Sequence, residues 1–108
     1  MSTSALPEPL ERFVAAINAG DTPGFLACFA ADGLVNDWGR TFVGPDKIKA
    51  WSDGELIGAR GHLTVNDSEE TAGRFVLHGH WASRVFTGDS AFAFVLKDGL
   101  IKEMHITG

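Results

Sequence analysis

Apolar positions at the start of the chain follow a helical period. Leu10, Phe13, Val14 and Ile17 fall at i, i+3, i+4 and i+7, one stripe that predicts a helix over residues 8–19. Pro7 and Pro9 fit only before it or within its first turn, and Gly20 is its expected stop. Asp21 then offers an N-cap oxygen to a second helix with Pro23 in its first turn. Phe25, Leu26 and Phe29 form its buried stripe with Cys28 at the edge, and Asp32-Gly33 ends it. Two short apolar runs, Leu34 to Trp38 and Thr41 to Val43, read as strands around a Gly39-Arg40 turn. Pro45 and Asp46 start a third helix that turns Ile48 and Trp51 inward, and residues 55–61 form a ragged last turn or a loop.

From His62 the period changes to two. His62 to Asp67 is one strand, and Gly73 to Phe86 is a longer one. Phe75, Leu77, Gly79, Trp81 and Ser83 share one face of it, while Arg74, Val76, His78, His80 and Arg84 share the other. Thr87-Gly88-Asp89 is an expected turn, and Ser90 to Lys97 carries Phe92, Phe94 and Leu96 on one face. Asp98-Gly99 is a strong hairpin signal before a last strand, Leu100 to Thr107. Helices segregated from strands imply an α+β fold, with three helices on one face of a curled sheet. The long strands carry more apolar area than three short helices cover. The sheet is therefore expected to wrap around a pocket, and its outer face to pair with a second subunit.

Composition narrows the function classes. The 108 residues fit one domain spanning 1–108, with 44% apolar and 21% charged residues. A net charge of −5 offers no basic surface to nucleic acid or an anionic membrane. The single cysteine excludes an intrachain disulfide and a thiolate metal cluster. The first residues lack the basic and apolar regions of a signal peptide, so the expected compartment is the cytoplasm. No nucleotide or phosphate-binding motif is visible, and no cofactor is expected.

Asp37 is the residue on which a functional reading turns. It stands among apolar and aromatic residues at a strand end, where a carboxylate is costly unless it is paired or does chemistry. It is either a general base or a structural aspartate bonded to hairpin amides or to Arg40. Arg40 reads best as a solvated turn arginine. The alternatives are a substrate anchor, or an acid–arginine–acid group that joins it to Asp37 and to Asp53 or Glu55. His62 is a candidate proton shuttle at the pocket mouth. His78-Gly79-His80 places two imidazoles on the outer face without a third ligand nearby, so surface or dimer contact is the reading and no metal is expected. Three tryptophans and eight phenylalanines in so small a domain suggest an aromatic-lined cavity. The candidate wall residues are Phe13, Trp38, Trp51, Trp81, Phe92 and Met104.

Phe13 to Asp21, Phe29 to Asp37, Phe42 to Ile48 and the closing Phe94 to Ile101 together resemble the SnoaL-like and ketosteroid-isomerase-like branch of the nuclear-transport-factor-two-like superfamily. The resemblance implies a conical α+β half-barrel around a deep apolar cavity, holding a small apolar ligand and dimerising through the outer face of the sheet. It places Asp37 where the steroid isomerases carry their proton-shuttling aspartate. Those enzymes also use a first-helix tyrosine and a protonated late-strand aspartate to stabilise an enolate. Here these positions read Phe13 and Phe92, and the chain has no tyrosine. Losing one such donor costs about 10²–10³ in rate, so efficient ketosteroid isomerisation is not expected. The resemblance therefore implies a small enzyme performing proton transfer or water addition on an apolar, oxygen-bearing molecule, with Asp37 as base. The alternative is a non-catalytic ligand-binding or dimeric scaffold protein.

Overall fold

The computed structural model describes residues 7–71, 74–84 and 87–107. Helices α1 (Glu8–Ala19) and α2 (Thr22–Ala27) precede a hairpin of β1 (Phe29–Asp37) and β2 (Arg40–Val43). Helix α3 (Pro45–Glu55) follows, and then β3 (His62–Thr71), β4 (Arg74–Ala82), β5 (Thr87–Lys97) and β6 (Leu100–Thr107). The strands form one open sheet in the order β2-β1-β6-β5-β4-β3. Only β1 and β6 run parallel. The fold class is the expected α+β, with the helices packed on a mixed sheet.

The helices form where capping and periodicity place them. Asp21 Oδ1 accepts the Gly24 N–H at 3.0 Å, and α1 ends at Gly20. The α1 stripe buries Leu10, Phe13 and Ile17 completely or nearly so. Phe13 is the hub of an aromatic cluster, with ring centroids 5.8 Å from Phe25 and 5.1 Å from Phe94. Helix α3 buries Ile48, Trp51 and Ser52.

Several boundaries differ from the sequence reading. Helix α2 stops at Ala27, and Phe29 opens β1 instead of ending the helix. The cause is long-range: the Ile101 N–H donates to the Cys28 carbonyl at 2.8 Å and draws the chain into the sheet beside β6. Asp32-Gly33 then falls in the irregular stretch of β1, between two registers of that ladder. The β1–β2 turn is Trp38-Gly39, and Arg40 is already the first residue of β2. Strand β3 runs on past Asp67 to Thr71, along β4. Strand β4 ends at Ala82, because the Arg84 N–H leaves the ladder for the Ala59 carbonyl at 2.9 Å. Gly73 and residues 85–86, also assigned to that strand from the sequence, lie outside the described residues. Residues 87–89 are not a turn. They are the first residues of β5 and pair with Ala82, Trp81 and His80.

Candidate functional site

The first half of the site comes from hairpin register. Asp37 and Arg40 are the last antiparallel pair of β1–β2, directly opposite each other, and such pairs project from the same face. The connecting Trp38 and Gly39 both have positive φ, 54° and 92°, as a two-residue hairpin turn requires. Gly39 adopts this without strain, whereas a tryptophan there costs about 1–2 kcal/mol. The turn is braced by Asn36 Oδ1, which accepts the Gly39 N–H at 2.8 Å. Trp38 is left 64% exposed at the rim.

The second half comes from helical spacing. Trp51 and Glu55 stand at i and i+4 on α3 and so share one face. That face meets the hairpin. Trp51 Nε1–H donates to Asp37 Oδ2 at 3.1 Å, and the indole stacks on Phe42 with centroids 5.9 Å apart. Arg40 Nη1 and Nη2 donate to Glu55 Oε2 and Oε1 at 2.9 and 2.6 Å, a two-point clamp. Nη2 also reaches Asp37 Oδ2 at 2.5 Å. Arg40 is therefore not a free turn arginine but the centre of an Asp37–Arg40–Glu55 group. Asp53 takes no part, since its carboxylate pairs with Lys49 at 2.7 Å.

The electrostatics follow from that geometry. Arg40's hydrogen bonds hold the Glu55 carboxyl below its usual range. The same bonds, to Glu55 first and then Asp37, push the Arg40 guanidinium further up. Both Asp37 contacts use Oδ2, and Oδ1 has no hydrogen-bond partner among the described residues.

These groups line a cavity of about 380 Å³. The sheet supplies its floor through one row: Asp37 pairs with Ile106, and Ile106 with Phe92. Residues paired across a ladder share a face, so the carboxylate looks over an apolar surface. Trp81 and Leu56 complete the wall. Trp81 is 5% exposed and packs against Gly61, where an added Cβ would lie 1.9 Å from the indole.

Of the candidate residues, Asp37, Arg40, Trp38, Trp51, Trp81 and Phe92 meet at this cavity. Three do not line it. Phe13 and Met104 are fully buried in the core. His62 is exposed on β3, the edge strand at the opposite end of the sheet from β2. His78 pairs with Glu69 at 2.8 Å and His80 with Asp89 at 3.1 Å.

Sequence reasoning missed Ser90. It lines the cavity beside Phe92, is 8% exposed, and its hydroxyl has no hydrogen-bond partner among the described residues. Burying such a group unpaired costs about 1–3 kcal/mol. The signal was present, because Ser90 continues the Phe92, Phe94 alternation onto the inner face.

The SnoaL-like domain model matches residues 10–104. The chain belongs to the SnoaL-like family. A candidate polyketide cyclase from Sinorhizobium meliloti superposes with a TM-score of 0.87 at 22% identity, over 94% of this chain and 95% of that one. A Catenulispora acidiphila protein with a ketosteroid isomerase-like fold, in complex with trimethylamine, gives 0.80 at 18% identity, over 96% and 87%. A Δ5-3-ketosteroid isomerase from Mycobacterium sp. gives 0.80 at 18% identity, over 93% and 89%. At these identities the likeness is one of fold. No curated protein matches the chain. No described helix of this SnoaL-like protein is long and apolar enough to cross a membrane.

Proposed function

We propose that the cavity binds a small apolar molecule bearing oxygen, and that Asp37 is the base that moves a proton on it. One observation carries the reading. Asp37 has its Oδ2 fixed by Arg40 and Trp51, while Oδ1, unpaired among the described residues, belongs to a carboxylate that lines the cavity. A carboxylate oriented in this way is suited to proton abstraction at carbon. Its neighbours are poor proton carriers. Glu55 is shifted towards its charged form, and Arg40 is held more firmly protonated. Asp37 would therefore both take and return the proton, which favours an isomerase-like transfer over water addition, where a separate acid is needed. Phe13 in the core offers no enolate donor, so ketosteroid isomerisation is not the proposed reaction.

The test is deuterium uptake from heavy water, followed by proton NMR, across a panel of cyclic and arylalkyl ketones. A ketone should exchange a carbon-bound proton with the wild type, and Asp37→Asn should slow this by about 10²–10⁴-fold. Equal exchange by the two proteins would sink the reading.

A second reading is a non-catalytic ligand-binding protein. The exposure of Trp38 favours it, because an open rim does little to exclude water. The trimethylamine complex of the Catenulispora protein supports small-molecule binding in this fold under either reading. Ligand binding without any exchange would establish it.

We further propose a homodimer through the outer sheet face, working in the cytoplasm. Part-buried Val76 and Ala93, paired across β4 and β5, support a contact surface there. A monomer mass by light scattering at micromolar concentration would contradict the dimer.

A further inference from the structure

Ser90 brings to the cavity a hydroxyl with no hydrogen-bond partner among the described residues. A strand serine on an inner face usually gives its proton to a nearby carbonyl or side chain. Ser90 Oγ has no such acceptor among the described residues, although the residue is 8% exposed. Its cross-strand neighbour on β4 is Gly79, which has no side chain to offer. On its own strand, the next residue on that face is Phe92. The hydroxyl is therefore flanked by Gly79 and Phe92, neither of which can accept its proton through a side chain, at a cavity that also holds Asp37.

Sheet register fixes the relation of the two groups. Asp37 is aligned through Ile106 with Phe92, and Ser90 lies two residues further along β5. Two strand spacings across the sheet and two residues along it put the backbones of Asp37 and Ser90 about 12 Å apart. The side chains thus reach one cavity from separate places, with the Phe92 and Ile106 side chains on the floor between them.

We propose that Ser90 is a ligand-binding residue whose hydroxyl donates to a carbonyl or ether oxygen of the bound molecule. The ligand class narrows accordingly. Its oxygen is held at Ser90, its apolar body lies over Phe92 and Ile106, and its far end faces Asp37, so a proton moved there by Asp37 must be made acidic by conjugation to that oxygen or by a second carbonyl. The proposal rests on the reading that the cavity takes a small oxygen-bearing molecule. It does not require Asp37 to act as a base.

The test compares indan-2-one with indane, which has the same ring skeleton without the oxygen, in NMR titrations of the indole and backbone amide signals. The wild type should prefer the ketone by about threefold to tenfold, the worth of one ordinary hydrogen bond. Ser90→Ala should erase the preference while leaving indane binding unchanged, and Ser90→Thr, which keeps the hydroxyl, should restore it. The thermal midpoint of Ser90→Ala should stay level or rise, because an unpaired buried hydroxyl is removed. An equal ketone preference in wild type and Ser90→Ala overturns the proposal while leaving the ligand reading standing. A clear fall in the Ser90→Ala midpoint also overturns it, by showing that the hydroxyl has a structural partner. If neither probe binds the wild type, the ligand reading falls and the proposal with it.

Discussion

Glu55 receives both terminal nitrogens of Arg40, at 2.9 and 2.6 Å, and so ties the last turn of α3 to the first residue of β2. This clamp turns an arginine that is 53% exposed into a fixed element of the cavity mouth. Lysine could not replace it, since one ammonium cannot reproduce the planar two-point contact while also reaching Asp37.

The clamp predicts an acid-dependent contribution to stability. The Glu55 carboxyl titrates below its ordinary value of 4.5 because Arg40 bonds to its charged form. The unfolded chain therefore takes up the proton first. The contribution is complete above 4.5 and is lost as the pH falls through the lower, folded value. Asp32 is shifted in the same direction by Lys102 and adds an acid dependence of the same sign. Arg40→Gln should flatten only the Glu55 share. Thermal midpoints of the two proteins should thus differ at about pH 6 and converge towards about pH 3. The difference at pH 6 should be at most about 1 kcal/mol for so exposed a pair. A constant gap across that range would refute the assignment.

Trp38 should be stabilised by replacement. Its φ of 54° suits asparagine or glycine better than an aromatic residue. Trp38→Asn should raise stability by about 1 kcal/mol, or the melting midpoint by about 4–8 °C. Ligand affinity should fall together with the lost rim surface. Differential scanning calorimetry reads the first effect, and a lowered midpoint would count against strain at this turn.

Gly61 should not tolerate a methyl group. An added Cβ would overlap the Trp81 indole at 1.9 Å. Gly61→Ala should destabilise by about 1–3 kcal/mol, the usual cost of overpacking. It should also disturb the cavity wall, visible as a shift of the Trp81 indole resonance. A variant with wild-type stability and an unmoved indole signal would show that the contact yields freely.

Cys28 should be inert until the protein unfolds. It is 4% exposed, its thiol donates to the Gly24 carbonyl at 3.3 Å, and burial pushes its pKa up. Both effects suppress the reactive thiolate. Labelling by a disulfide reagent at neutral pH should be slow and should accelerate with denaturant in step with loss of circular dichroism. Rapid labelling of the folded protein is the contrary result.

What the sequence by itself determined was local. Helix stripes, the Asp21 cap, the Asp98-Gly99 hairpin and the change to period two follow from steric and hydrogen-bonding preferences within a few residues. They sufficed for the α+β class, and together with the family resemblance they marked Asp37 and four of the aromatic cavity residues. Register and long-range pairing belonged to the tertiary structure. The parallel β1–β6 ladder joins the Asp37 segment to residues near the other end of the chain, and it shortened α2 to bring Phe29 into the sheet. The choice of Glu55 over Asp53 as Arg40's partner depends on which face of α3 meets the hairpin. Phe13 and Met104 left the cavity for the core because the helices and sheet bury that part of the inner face completely. Ser90 became notable only once its neighbours were known, since a hydroxyl is unsatisfied by what surrounds it in space, and those surroundings come from distant parts of the chain.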